Sequence, residues 1–119
     1  MSWYSTPKKG YSGVYFYQYK TGLLGSGFDV KFILDETMTM AKINTGEWAY
    51  FEVPAGNHKY RFRGGIVPLH FELDFVENQN YFFRGMLLDF FDQVTLTKDT
   101  VEIKEVIRNI ESGHYKKVQ

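Results

Sequence analysis

From Val14 onward, apolar and polar residues alternate in short runs separated by turn formers, the pattern of a chain built from β-strands. Val14 to Tyr19 is the first run, with Tyr15, Tyr17 and Tyr19 on one face and Val14 and Phe16 on the other. Lys20 to Gly27 holds three glycines and reads as a flexible loop. Phe28 to Leu34 alternates cleanly, with Phe28, Val30, Phe32 and Leu34 inward and Asp29 and Lys31 outward. Asp35-Glu36-Thr37 predicts a turn, and Met38 to Ile43 the next strand. Asn44-Thr45-Gly46 predicts a tight hairpin into Glu47 to Val53, with Gly46 supplying the positive φ that such loops require. Pro54-Ala55-Gly56-Asn57 predicts a further turn.

The next pair of strands can be aligned by its side chains. If His58 to Arg63 pairs with Pro68 to Val76 across the loop Gly64-Gly65-Ile66-Val67, Phe62 stands opposite Leu69 and Tyr60 opposite Phe71. The other face then sets Arg61 against His70 and Lys59 against Glu72, so apolar meets apolar and basic meets acidic in one register. A slip of one residue destroys both matches. Glu77-Asn78-Gln79-Asn80 is a turn, and Tyr81 to Met86 and Gln93 to Thr97 are two more strands. The last element changes period. Val101, Ile103, Val106, Ile107 and Ile110 fall on one helical stripe with Lys and Glu opposite, Asp99 and Glu102 have capping-box spacing, and Gly113 follows as a helix stop. An amphipathic helix over 100–112 packed on a sheet is the main reading, and a final strand over 100–106 the alternative.

A chain of 119 residues is the size of one domain and buries about two thirds of its surface on folding. The expected layout is a flexible arm over 1–12, a domain over 13–113 and a tail over 114–119. With 11 Phe, 9 Tyr and 2 Trp, the composition favours strands and supports the β reading. Lys+Arg 14 balances Asp+Glu 14, which speaks against nucleic acid as a partner, since that footprint needs a basic excess. Cysteine is absent, so disulfide scaffolds, thiolate metal sites and cysteine nucleophiles are excluded. The most apolar stretch, Tyr81 to Phe91, is interrupted by Arg84 and Asp89 and falls short of the roughly 20 residues of a spanning helix. Met1 to Lys9 has no apolar core behind its charges and is not read as a signal peptide. A cytoplasmic chain and a chain trimmed of its export segment both fit.

Candidate chemistry is sparse. His58, His70 and His114 lack the spacing of a metal pair, and His70 reads as a polar partner of Arg61. Glu72, Asp74 and Glu77 form an acidic string that could serve glycoside hydrolysis, but on alternating strand positions it reads as a solvated face. Gly22-Leu-Leu-Gly25-Ser-Gly27 leads into a strand, whereas phosphate loops open a helix. The best electrostatic feature is the strand carrying Lys59, Arg61 and Arg63. Residues 1–63 hold 8 basic and 5 acidic residues (+3) and 64–119 hold 6 and 9 (−3), an asymmetry that fits internal pairing or complementary association surfaces. Tyr15, Tyr17 and Tyr19, with Trp48 and Tyr50, form either an exposed aromatic platform or core covered by the helix, and the covered reading is preferred.

Gly13-Val-Tyr-Phe-Tyr, Val30-Lys-Phe-Ile-Leu-Asp35, the stretch from Ala41 to Gly46 and Pro54-Ala-Gly56-Asn-His58 form a pattern with Tyr81-Phe-Phe-Arg84. Over residues 13 to about 112 this pattern resembles an uncharacterised bacterial family of small, usually exported or lipid-anchored proteins, known only as a domain of unknown function. More loosely, its Pro-x-Gly-x-His turn is similar to the PEGA-type envelope repeat. The resemblance implies a transthyretin-like sandwich and a periplasmic or envelope location, and it implies no catalytic residues. The chain lacks the lipid-attachment cysteine of that family.

The expected fold is therefore mostly β: a single antiparallel β-sandwich, transthyretin- or immunoglobulin-like, of about seven to eight strands with a C-terminal amphipathic helix. The expected function is a non-enzymatic binding or scaffolding module of the bacterial cell envelope, recognising a protein or cell-wall partner through Trp48, Tyr50, Arg61, Arg63 and Arg84. No cofactor, metal or transmembrane segment is expected, and the protein is read as a monomer or homodimer. The alternatives are a small hydrolase using Glu72 and Asp74 with His70, and a subunit that adds an edge strand to a partner's sheet.

Overall fold

The computed structural model describes residues 6–18, 30–35, 37–44, 46–63, 69–88, 91–97 and 100–118. Among the described residues, nine strands and one helix follow the chain: β1 (Tyr11–Gln18), β2 (Val30–Leu34), β3 (Met38–Ile43), β4 (Glu47–Pro54), β5 (Gly56–Arg63), β6 (Leu69–Phe75), β7 (Asn80–Leu88), β8 (Phe91–Thr97), α1 (Thr100–Glu111) and the two-residue β9 (Lys116–Lys117). They form a five-stranded sheet, in the order β8-β7-β1-β4-β9, and a four-stranded sheet, in the order β3-β2-β5-β6. The mostly-β sandwich with a C-terminal helix is thus the observed fold. The expected loop over 20–27, Phe28, Asp29, the loop 64–67 and the cap residue Asp99 lie outside the described residues.

β1 is the centre of the five-stranded sheet, and Val14, Tyr15, Phe16 and Tyr17 all have no exposed surface. A continuous apolar run of this kind can only be accommodated where both faces are covered. Val14 and Phe16 point between the sheets into a core with Phe32, Leu34, Phe51, Tyr60 and Phe83. Tyr15 and Tyr17 point the other way, into a second core with Trp48, Phe82, Val106 and Ile110, so α1 covers the outer face of this sheet. β5 shows the contrasting pattern, with Tyr60 buried and Lys59 exposed; β2 is mixed, with Lys31 exposed and Phe32, Ile33 and Leu34 all buried.

The β5–β6 pairing has the register the side chains predict, with Tyr60 opposite Phe71, Phe62 opposite Leu69, Arg61 opposite His70 and Lys59 opposite Glu72. Two connections differ from expectation. The chain does turn between Asn44 and Glu47: the Glu47 amide donates to the Asn44 carbonyl at 3.1 Å and Gly46 has φ 75°, Thr45 lying outside the described residues. The turn is not a hairpin, however, because β3 pairs with β2 and β4 with β1. The Gly46 amide donates to the Gln18 carbonyl at 2.8 Å, which fastens the turn to the end of β1 and delivers the chain into the other sheet. At Ala55 the chain crosses back, Gly56 having φ 123°.

The sandwich is also not wholly antiparallel, since β1 pairs parallel with β7 and β4 parallel with β9. The turn after β6 explains the first pairing. The Asn78 amide donates to the Tyr11 carbonyl at 3.0 Å, the Gly13 amide donates to the Gln79 carbonyl at 2.8 Å, and the Ser12 hydroxyl donates to the Val76 carbonyl at 2.6 Å. These bonds hold the start of β7 beside the start of β1, so the two strands run the same way. Hydrophobic alternation has the same period in either direction and carries no record of it.

α1 ends in a Schellman motif, with the His114 amide donating to the Asn109 carbonyl, the Gly113 amide donating to the Ile110 carbonyl, and Gly113 at φ 81°. Val101 departs from the predicted stripe and is 72% exposed. It lies two residues before Ile103, just over half a turn around the axis, so the stripe that packs starts at Ile103. No helix among the described residues is long and apolar enough to cross a membrane.

Candidate functional site

The five residues expected to form one recognition surface are divided between the two sheets. Trp48, Tyr50 and Arg84 belong to β4 and β7, on the face that α1 covers; Arg61 and Arg63 belong to β5, in the other sheet. Trp48 is 3% exposed and packs among Tyr15, Tyr17 and the helix, with the Lys117 ammonium 5.4 Å from its ring centre. Tyr50 is half-buried and its hydroxyl donates to Glu52 at 2.9 Å. Arg84 forms an ion pair with Glu102 of α1. These side chains join the helix to the sheet and do not make a platform. Register explains why. Tyr15 faces Tyr50 and Tyr17 faces Trp48, and Phe82 stacks on Tyr15 at 4.9 Å and 11°, a continuous apolar sheet that α1 must cover.

Burial also governs ionisation beneath the helix. The Tyr17 hydroxyl shares a 2.7 Å hydrogen bond with Thr97, and desolvation raises its pKa well above the usual range for tyrosine. Tyr115 is pushed up to about 12, by burial first and then by the Glu105 carboxylate. A phenol with a raised folded-state pKa contributes stability that is intact below the ordinary value of 10.0 and is lost as pH rises through the folded value. The urea midpoint is therefore expected to fall above about pH 10, and Tyr115→Phe to lose on the order of 2 kcal/mol less than wild type between about pH 9 and pH 12. Equal losses in the two proteins would remove Tyr115 as the cause.

The outer face of the four-stranded sheet carries a different chemistry. Lys31 pairs in register with Lys42 on one side and with Arg63 on the other, which aligns three basic residues across β3, β2 and β5. In the next row Ile33 stands between Thr39 and Arg61, and Arg61 faces His70. Lys31, Lys42 and Lys59 are exposed and Arg61 is half-buried. Acidic groups gather on the neighbouring strand β6: Glu72 faces Lys59 in register, and Asp74 accepts a hydrogen bond from the Asn57 amide at 2.9 Å.

Lys31 and Lys42 were not singled out by the sequence reading, which recognised only Lys59, Arg61 and Arg63. They lie 11 positions apart in the chain and meet only through the β2–β3 pairing, which a bulge between Phe32 and Ile33 shifts by one residue. His58 is a second group the sequence reading left without a role. Its ring nitrogens lie 2.9 Å from the Asp35 carboxylate and 2.8 Å from the Pro54 carbonyl, fastening the β2–β3 turn to the point where the chain changes sheets. The Pro54-x-Gly56-x-His58 spacing was its visible signal. Among the described residues no group of three or more His, Asp or Glu is arranged to hold a metal ion.

Compared with protein-family models, curated proteins and solved structures, the chain matches none.

Proposed function

We propose that the protein is a non-enzymatic binding or scaffolding module of the bacterial cell envelope, and that its recognition surface is the outer face of the four-stranded sheet. The single observation that carries this surface is the backbone register that sets Lys31 opposite Lys42 on one side and opposite Arg63 on the other, with Lys31 and Lys42 exposed. Basic positions that the register brings into one row favour an anionic partner by charge complementarity. The other sheet offers no equivalent face, because α1 lies over it. The envelope location draws on the motif resemblance of residues 13 to about 112.

The hydrolase reading is weaker. Glu72 and Asp74 are exposed and face Lys59 and Asn57, whereas a glycosidic general acid needs an apolar setting that raises its pKa. Edge-strand addition is opposed by the charges on two edges, Glu72 and Asp74 on β6 and the two lysines of β9.

Titration with poly-L-glutamate, followed by backbone amide resonances, tests the surface. Shifts are expected at residues 31, 42, 61 and 63, with those of α1 unmoved. Shifts centred on α1, or none at all, would overturn the assignment.

A further inference from the structure

We infer that His58 works as a proton-dependent clasp: in its cationic form the ring ties the β2–β3 turn to the point where the chain crosses between sheets, and loss of the proton releases that turn. Each ring nitrogen faces an oxygen. Nδ1 lies 2.9 Å from one oxygen of the Asp35 carboxylate and 3.0 Å from the other, and Nε2 lies 2.8 Å from the Pro54 carbonyl. A carboxylate and a carbonyl only accept, so both contacts are hydrogen bonds only when both nitrogens carry a proton. Neutral imidazole has one N–H, and its other nitrogen would set a lone pair against an acceptor oxygen. Carboxylic acids are stronger acids than imidazolium, so the proton rests on the ring and the pair is ionic.

The surroundings of the ring make its proton matter. The His58 side chain is 15% exposed, so its charge leans on these two acceptors more than on water, whereas Asp35 is half exposed. Leu73 stands opposite His58 on β6 and the Phe75 ring lies 5.9 Å away edge-on, so among the described residues Asp35 is the one charged group within ion-pair reach of the ring. The neighbours along β5, Asn57 and Lys59, turn to the other face of the sheet. The turn that the ring holds is strained. Asp35 has φ 50°, in the left-handed region that residues other than glycine enter at a cost. Its amide donates to the Lys59 carbonyl at 2.8 Å and its carboxylate binds His58, so β5 holds it by two anchors. A neutral ring forfeits one of its two hydrogen bonds, and the strained turn then has a conformation of lower energy to relax toward. That turn leads directly into β3, at the edge of its sheet, so the order of this edge follows the charge of one ring.

Nitrogen-15 shifts of the histidine rings and backbone amide exchange, both followed on the whole chain from about pH 5 to about pH 9, test the clasp. At the acid end both His58 nitrogens are expected in the protonated range. Protection of the residue-35 amide, corrected for the intrinsic exchange rate, is expected to fall about tenfold as the ring loses its proton. In H58Q, whose side chain is too short of donors in the ring's geometry to bridge both oxygens, protection is expected to be low and flat with pH. D35N removes the anion and gives a second route should H58Q fold poorly, and circular dichroism checks both. A His58 ring with one protonated and one bare nitrogen throughout the range would overturn the inference. So would protection that stays constant with pH in the wild-type protein, or that keeps its full pH dependence in either variant.

Discussion

Phe32→Ala is expected to lower unfolding free energy by about 3–5 kcal/mol, the largest effect of any single truncation considered. Phe32 has no exposed surface and stands at the middle of the core between the sheets. Its ring meets Phe51 at 5.0 Å, Phe83 at 5.3 Å and Phe16 at 5.8 Å edge-on, and Tyr60 at 5.6 Å stacked, so it touches β1, β4, β5 and β7 from its place on β2. Removing it creates a cavity that four other rings on four strands cannot readily fill together. Small domains hold about 5–15 kcal/mol in total, so the variant is expected to be partly unfolded under mild urea. Phe32→Leu keeps much of the volume and should lose about 1–2 kcal/mol. Equilibrium urea unfolding of the three proteins decides the matter. An alanine variant within about 1 kcal/mol of wild type would mean that Phe32 is not the centre of this core.

Gly13→Ala is the second large effect, and it acts by excess volume. A Cβ on Gly13 would stand 2.0 Å from the Asn80 side-chain oxygen, 3.0 Å from Cε2 of Tyr50 and 3.1 Å from its hydroxyl. Gly13 is paired with Glu52 on β4 and with Asn80 on β7, so β1 cannot retreat from one neighbour without approaching the other. The expected loss is about 2–3 kcal/mol, with the parallel β1–β7 pairing affected first. Asn80→Ala in the Gly13→Ala background should recover most of it, because the closest atom is then gone. The pair is therefore expected to be strongly non-additive in a double-mutant cycle. Additive losses would place the strain elsewhere, against Tyr50.

The face proposed for binding illustrates how far a reading of the chain can reach. The β5–β6 register was legible because its two strands are close in sequence and both faces carry a match, apolar on one side and charged on the other. That reading placed Arg61 beside His70 and Lys59 beside Glu72, and so assembled half of the face. The other half depends on Lys31 and Lys42 meeting across a bulge, which alternation does not encode. The aromatic residues show the converse limit. For Trp48 and Tyr50 the chain left platform and core both open with the core reading preferred, and α1 lies on that face with Val106 and Ile110 buried. Arg84 looked available and is instead engaged by Glu102 of that helix.

By itself the sequence determined the elements and the faces they turn inward. Periods of two and 3.6 residues, turn residues such as Gly46 and the helix stop at Gly113 act over a few positions, and their effects are local. Only the tertiary structure decided that β3 and β4 part into different sheets, that β7 runs parallel to β1, and that the aromatic face is closed by α1. Those outcomes rest on hydrogen bonds and packing between residues as far apart as Tyr11 and Asn78, where pairing depends on which distant segment completes the burial. Alternation tells each strand which side to bury and leaves open which strand it meets.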